Sequence, residues 1–206
     1  MVAALAIPAL VAAVAVRALG ARRERRLGLR TVAGVSFRPG VTYAPGHTWL
    51  TQRRAGAVQL GIDDIAQRLL PSVTAVEVPR AGTKVERGDV VATLSGGGRE
   101  IQVRTPVPAT IVGVNASVIR DPALVKRDGY GRGWLVALAP ADASWTALPQ
   151  GDAAEGWVKK ESARFSRYLE EQLGFAAADG GELISPAPWL MGEDGWRKLT
   201  QAFLTV

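Results

Sequence analysis

The sequence predicts a mainly β domain with added α: an apolar N-terminal helix, a run of short strands, and helices at the C-terminal end. Three observations carry this. Residues 2–16, VAALAIPALVAAVAV, are continuously apolar. From Tyr43 to about Pro140, short β-rich runs alternate with Gly, Pro and Asp punctuation, the pattern of strands and turns. Beyond Pro140, apolar residues recur at helical spacing.

Composition removes several classes of chemistry. The 206 residues are 48% hydrophobic, enough for a real core, and contain no cysteine and one histidine. Disulfides, thiolate metal sites and cysteine nucleophiles are therefore excluded. Any histidine-based metal site or triad would rest on His47 alone. The net charge of +6 is concentrated: residues 17–30 hold six arginines and one glutamate, which is +5 of it. Basicity confined to one short segment does not point to nucleic acid.

The N-terminal run of 15 apolar residues is short of the roughly 20 that span a bilayer. Arg17 interrupts it, but a long cationic side chain can bury its stem and extend its head to the interface. Counted to Ala21, the span becomes adequate. A cleaved signal peptide carries positive charge before its apolar run, whereas here the arginines follow. Residues 1–21 are thus expected to be an uncleaved single-pass membrane anchor. The membrane-proximal arginines Arg17, Arg22, Arg23, Arg25 and Arg26 place the main domain on the cytoplasmic side. Residues 22–42, with Gly28, Gly34, Pro39 and Gly40, read as a basic linker.

Within 43–145 the strand candidates are 55–62, 74–79, 89–94, 100–105, 109–115 and 134–140. IDDIAQRLLP (62–71) interrupts them as a short helix, with Ile62, Ile65, Ala66 and Leu69 on one face and Pro71 as its stop. Residues 146–206 form a helical extension. A helix over 157–175 places Phe165, Tyr168, Leu169 and Leu173 together with Gly174 as cap, and a shorter one over 192–204 carries Trp196, Leu199 and Phe203.

Several fragments, in order and at compatible spacing, resemble one family. HTW (47–49), VQLGIDDIAQ (58–67), TAVEVPRAGTKVERGDVVATL (74–94), TPVPATIVGVN (105–115) and DPALVKRDGYGRGWLVALAP (121–140) together resemble the H protein of the glycine cleavage system. The resemblance covers about half the chain. It implies a lipoyl-domain-like barrel-sandwich hybrid of two small sheets. It also implies a modified lysine at a hairpin tip, eight residues before the proline matched by Pro106. That position is Gly98, within the stretch SGGGRE, and Ser95 stands where the family has an acidic residue. Glycine offers no amine, and the guanidinium of Arg99 stays protonated. Lys84 and Lys126 lie outside the tip in sequence, Lys126 where the family usually has Asn. No cofactor is therefore expected at the usual place.

Other candidate features have plainer readings. Consecutive glycines can cradle an anion, but a phosphate loop needs a following Lys-Ser/Thr and helix, and here a strand follows. Asp63 and Asp64 are neighbours that diverge on a helix, so they read as helix N-terminal residues and not as an acid/base pair. His47 has no acidic cluster near it in sequence and reads as structural, packed near Trp49. Trp157, Trp189, Trp196 and Phe203 either pack on the sandwich or form a platform for other subunits.

The expected function is a non-catalytic, membrane-anchored accessory or scaffold subunit. Its partners would be other protein subunits of a membrane-associated complex, redox by analogy, and membrane lipid through the anchor, with no nucleic acid. The alternative is a lipoyl-type carrier of glycine cleavage or C1 metabolism, modified at a non-standard lysine such as Lys84. An enzyme is not expected, because no acid, base, nucleophile and metal set converges.

Overall fold

Strand pairing fixes most of the architecture. A computed structural model describes residues 27–53, 56–173 and 188–206. The expected anchor, the arginines from Arg17 to Arg26 and the cap Gly174 lie outside those residues.

Eleven strands are assigned among the described residues: β1 (Arg30–Val32), β2 (Val35–Phe37), β3 (Thr42–Ala44), β4 (Thr48–Gln52), β5 (Val58–Ile62), β6 (Ala75–Glu77), β7 (Lys84–Val85), β8 (Val90–Gly96), β9 (Arg99–Arg104), β10 (Ala109–Val114) and β11 (Val136–Pro140). A six-stranded sheet runs β3-β4-β5-β11-β10-β7, a three-stranded sheet runs β6-β8-β9, and β1-β2 form a separate hairpin. Every pairing is antiparallel. The inward residues Leu50, Leu60, Leu94, Ile101, Ile111 and Leu138 are buried in one core. The β-rich fold with C-terminal helices is as the strand pattern predicts.

Helix α1 (Asp64–Leu69) starts where the sequence places it. Asp63 is its N-cap, and Oδ1 accepts from the backbone N–H of Ile65 and Ala66, each at 3.0 Å. Ile65, Ala66 and Leu69 face the core. Two short helices, α2 (Ala116–Arg120) and α3 (Leu124–Arg127), precede β11. Asn115 caps α2 and also donates to the carbonyls of Arg132 and Trp134, which ties the turn before β11 to the end of β10.

The segment read as a linker is partly structured. Residues 30–37 form the β1-β2 hairpin, with Ala33 and Gly34 at φ 48° and 78° in its two-residue turn. Val32, Val35 and Phe37 are buried, and Phe37 stacks on Tyr43 at 5.3 Å. Three-residue strands between glycines leave too little alternation to be legible in sequence.

The C-terminal helices are α4 (Gly151–Leu173) and α5 (Glu193–Leu204). Helix α4 begins six residues before the predicted start at Trp157, at Gly151 with its φ of 54°. It lies along β1–β3: Arg30 pairs with Glu155 at 2.5 Å, and Ser162 Oγ donates to the carbonyl of Ala33 at 2.7 Å. Helix α5 packs beside β9 and against α4, with Trp196, Leu199 and Phe203 buried. Among the described residues, no helix is long and apolar enough to cross a membrane.

Candidate functional site: the glycine hairpin tip

The three glycines have three different surroundings. Gly96 and Arg99 pair as the last residues of β8 and β9, so Gly97 and Gly98 form the two-residue turn. Both have positive φ, 61° and 76°, the conformation a tight hairpin with the sheet's twist requires. A Cβ on Gly96 would lie 1.8 Å from the Ser72 carbonyl oxygen, and one on Gly97 would lie 2.2 Å from Pro71 Cγ. The hairpin is thus seated against the chain that links α1 to β6. Thr74 fastens the same place, donating through its N–H (2.8 Å) and hydroxyl (3.1 Å) to the carbonyl of Ser95. Gly98 has nothing within 4 Å of its Cβ position and faces open space.

The consequence is measurable. Gly96→Ala is expected to cost about 3 kcal/mol or more, because backbone must move to relieve the overlap. Gly98→Ala is expected to cost about 1 kcal/mol, the penalty of a left-handed conformation with no clash. Urea unfolding of the two variants checks the difference. Equal costs would contradict this geometry.

Arg99, next to the tip, reaches away from it. Its Nε donates to the carbonyl of Trp189 at 3.1 Å, its Nη2 to the carbonyl of Met191, and its Nη1 to the carboxylate of Glu193. The guanidinium also lies 5.3 Å from the Trp196 ring centroid. The residue beside the tip is therefore held by the N-terminal approach to α5.

No lysine stands in the hairpin. Lys126, distant in sequence, is near it through Pro71. Its amine donates to the carbonyls of Leu70 (2.5 Å) and Pro71 (3.3 Å), and Pro71 is the residue that packs on Gly97. Burial lowers the Lys126 pKa, only partly offset by Asp64. Lys84 is exposed on β7.

His47 sits at the β3–β4 turn with φ 57°. It is buried, and Nδ1 lies 2.8 Å from Asp63 Oδ2 while Nε2 lies 3.5 Å from Glu161 Oε2. The second distance is long for a hydrogen bond, and Nε2 has no such partner. The ring lies between Trp157 (5.5 Å) and Phe203 (5.8 Å). Burial opposes its charge, but the two carboxylates outweigh that and hold its pKa up to about 9. Burial also opposes ionisation of Glu161, yet His47 and Arg164 bring it down to about 2. His47 thus stands between α1's cap and α4 with a carboxylate on each side.

A family model described as Glycine cleavage H-protein matches residues 41–161, more than half of the chain. The chain belongs to the glycine cleavage H-protein family. It is 41% identical over 90 residues to "Probable glycine cleavage system H protein 2" of Sulfurisphaera tokodaii, a match spanning 44% of this chain and 61% of that protein. It is 34% identical over 102 residues to "Glycine cleavage system H protein" of Shewanella loihica, spanning 50% of this chain and 79% of the other. The crystal structure of a glycine cleavage system H protein from Mycobacterium marinum superposes on 60% of this chain and 99% of its own, with a TM-score of 0.51 at 22% identity, which shows the fold. The family is one of non-catalytic carrier proteins, in line with the expectation that this chain is not an enzyme.

The H-protein domain absorbs most of the residues marked in the sequence. Asp63 and Asp64 are helix N-terminal residues, as read, and Asp64 pairs with Arg68 at 2.8 Å. His47 is structural as expected, but its aromatic neighbours are Trp157 and Phe203 in place of Trp49, and its acidic partners come from distant sequence. Of the aromatic interaction candidates, Phe203 and Trp196 are buried and Trp157 is half-buried beside Tyr43 and His47. Trp189 is half-buried and gives its carbonyl to Arg99. Sequence reasoning missed the contacts of Arg99 and Glu161. The only signal was a charged residue at an otherwise bare tip; Glu161 is one of several half-buried acids of α4.

Proposed function

We propose that this chain is a non-catalytic H-protein-family docking subunit, presenting an unlipoylated hairpin to protein partners and held at a membrane by its N-terminal apolar run. The observation that supports it is the open position of Gly98. A lipoyl group is joined as an amide: a lysine amine attacks an activated lipoyl carboxyl, releasing the activating group and a proton. At the tip there is no amine to attack. The partners in this reading are other protein subunits, and the two halves of the proposal are tested separately. Intact mass of the protein from its native host reads the modification state. Co-purification after mild detergent extraction reads the partners, and a partner-free monomer in the soluble fraction would overturn the docking and membrane parts.

A second reading is a lipoyl-type carrier of glycine cleavage or C1 metabolism bearing its arm on another lysine. The relatives weigh for it over the membrane scaffold, because they are themselves named glycine cleavage system H proteins. Lys84 is the candidate, since its amine is exposed while that of Lys126 is engaged with two carbonyls. A lipoyl increment on a Lys84 peptide from the native protein would establish this reading in place of the first.

A further inference from the structure

We propose that the segment Pro188–Val206 is a built-in clamp on the β8–β9 hairpin, closing one flank of its tip against any enzyme that must draw the tip into its own cleft. The proposal deepens the unlipoylated reading, on which it rests, by adding a second barrier beside the missing amine.

One side chain carries most of the argument. Arg99 is the first residue of β9 and is bonded across the strand pair to Gly96, so whatever fixes it fixes the tip without an intervening residue. Its guanidinium meets three acceptors, the carbonyls of Trp189 and Met191 and the carboxylate of Glu193, and lies over the face of Trp196. A planar guanidinium held by several acceptors and a ring face has one orientation. The clamp is itself anchored: Met191, Trp196, Leu199 and Phe203 are buried. It is also tied at its far end, where Arg164 donates to the carbonyl of Ala202 at 3.1 Å and a Cβ at Gly46 would lie 2.9 Å from Val206 Cγ2. The hairpin is also engaged by Pro71 and Ser72 against Gly97 and Gly96, and Pro188–Leu190 contacts α1 just before them. Gly96, Gly97 and Arg99 are each engaged, and Gly98 alone of the four meets open space.

A carrier tip works by entering one protein after another. The enzyme that attaches lipoate is the simplest such visitor, and it is an assay available for this chain once an amine is supplied. The full chain bearing Gly98→Lys is incubated with a lipoate ligase, lipoate and ATP, and the lipoyl amide is followed by intact mass. The same rate is measured with Arg99→Ala added, and with Glu193→Gln added. Glu193 is exposed, so its variant keeps the fold if Arg99→Ala does not. Release of the clamp by Arg99→Ala is expected to raise the initial rate about tenfold or more, the factor that 1.4 kcal/mol represents. Glu193→Gln is expected to raise it by a smaller factor. Equal rates in the parent and the released variants, or no product in any of them, would overturn the clamp. A lipoyl mass on the unaltered chain from its host would instead overturn the unlipoylated reading, so the two failures are distinguishable.

Discussion

Asp63→Ala is expected to destabilise the protein by about 4 kcal/mol. Loss of the N-cap removes the acceptor for Ile65 and Ala66, worth about 1 kcal/mol. The larger part, about 3 kcal/mol, comes from stranding a buried His47 whose Nδ1 lies 2.8 Å from the lost carboxylate. Asp63→Asn keeps a capping oxygen and removes the charge, so it separates the two contributions. The pH dependence follows from the same pair. His47 is raised from 6.5 to about 9 in the folded state, so its contribution is fully present below 6.5 and is lost as pH rises through about 9. Glu161 is lowered from 4.5 to about 2, so its contribution is present above 4.5 and is lost as pH falls through about 2. The bridge is thus strongest between those windows, and Asp63→Ala is expected to flatten the alkaline limb. Urea unfolding across pH checks this. A loss under about 1 kcal/mol with the limb intact would mean that the charged pair contributes little.

Phe203→Ala is the second large effect, about 3–5 kcal/mol. The ring is buried and sits edge-on to Phe165 at 5.2 Å and Tyr168 at 5.5 Å, beside His47 at 5.8 Å, with Arg164 4.0 Å above it. These contacts join α5 to α4 and to the β3–β4 turn, so the cavity left by truncation lies where three elements meet and none can collapse alone. Leu190, 79% exposed, is the control: Leu190→Ser is expected to change stability by under about 0.5 kcal/mol. Thermal melts of both variants, with proteolysis to follow release of α5, check the contrast. A melt of Phe203→Ala matching wild type would mean that the extension is not part of the folded unit.

Local patterns were legible where the chain obeys one period at a time. The strands β5, β6 and β8–β11 fall within runs bounded by turn residues, the two-residue β7 escaped, and Asp63 marks the start of α1 by capping chemistry. The buried face of α5, with Trp196, Leu199 and Phe203, follows helical spacing. The β1-β2 hairpin escaped because its strands are three residues long. The site divided in the same way. A bare tip at Gly98 could be read from the surrounding motifs, but the reason for Gly96 and Gly97 lies in Ser72 and Pro71, two dozen residues away in the chain. Pairings such as Arg99 with Met191 and His47 with Glu161 join residues about half the sequence apart, and no local period encodes them. Lys126 is the clearest case: remote by count, it is one residue's width from the hairpin because its amine and Gly97 share Pro71.

The central claim is that this H-protein-family chain carries its hairpin without the arm. Intact mass of the full-length protein purified from its native host, followed by peptide mapping of all lysines, tests it most directly. The expected result is the unmodified polypeptide mass, with Lys84 and Lys126 peptides unaltered. A lipoyl increment on any lysine would contradict the claim and identify the chain as a working carrier.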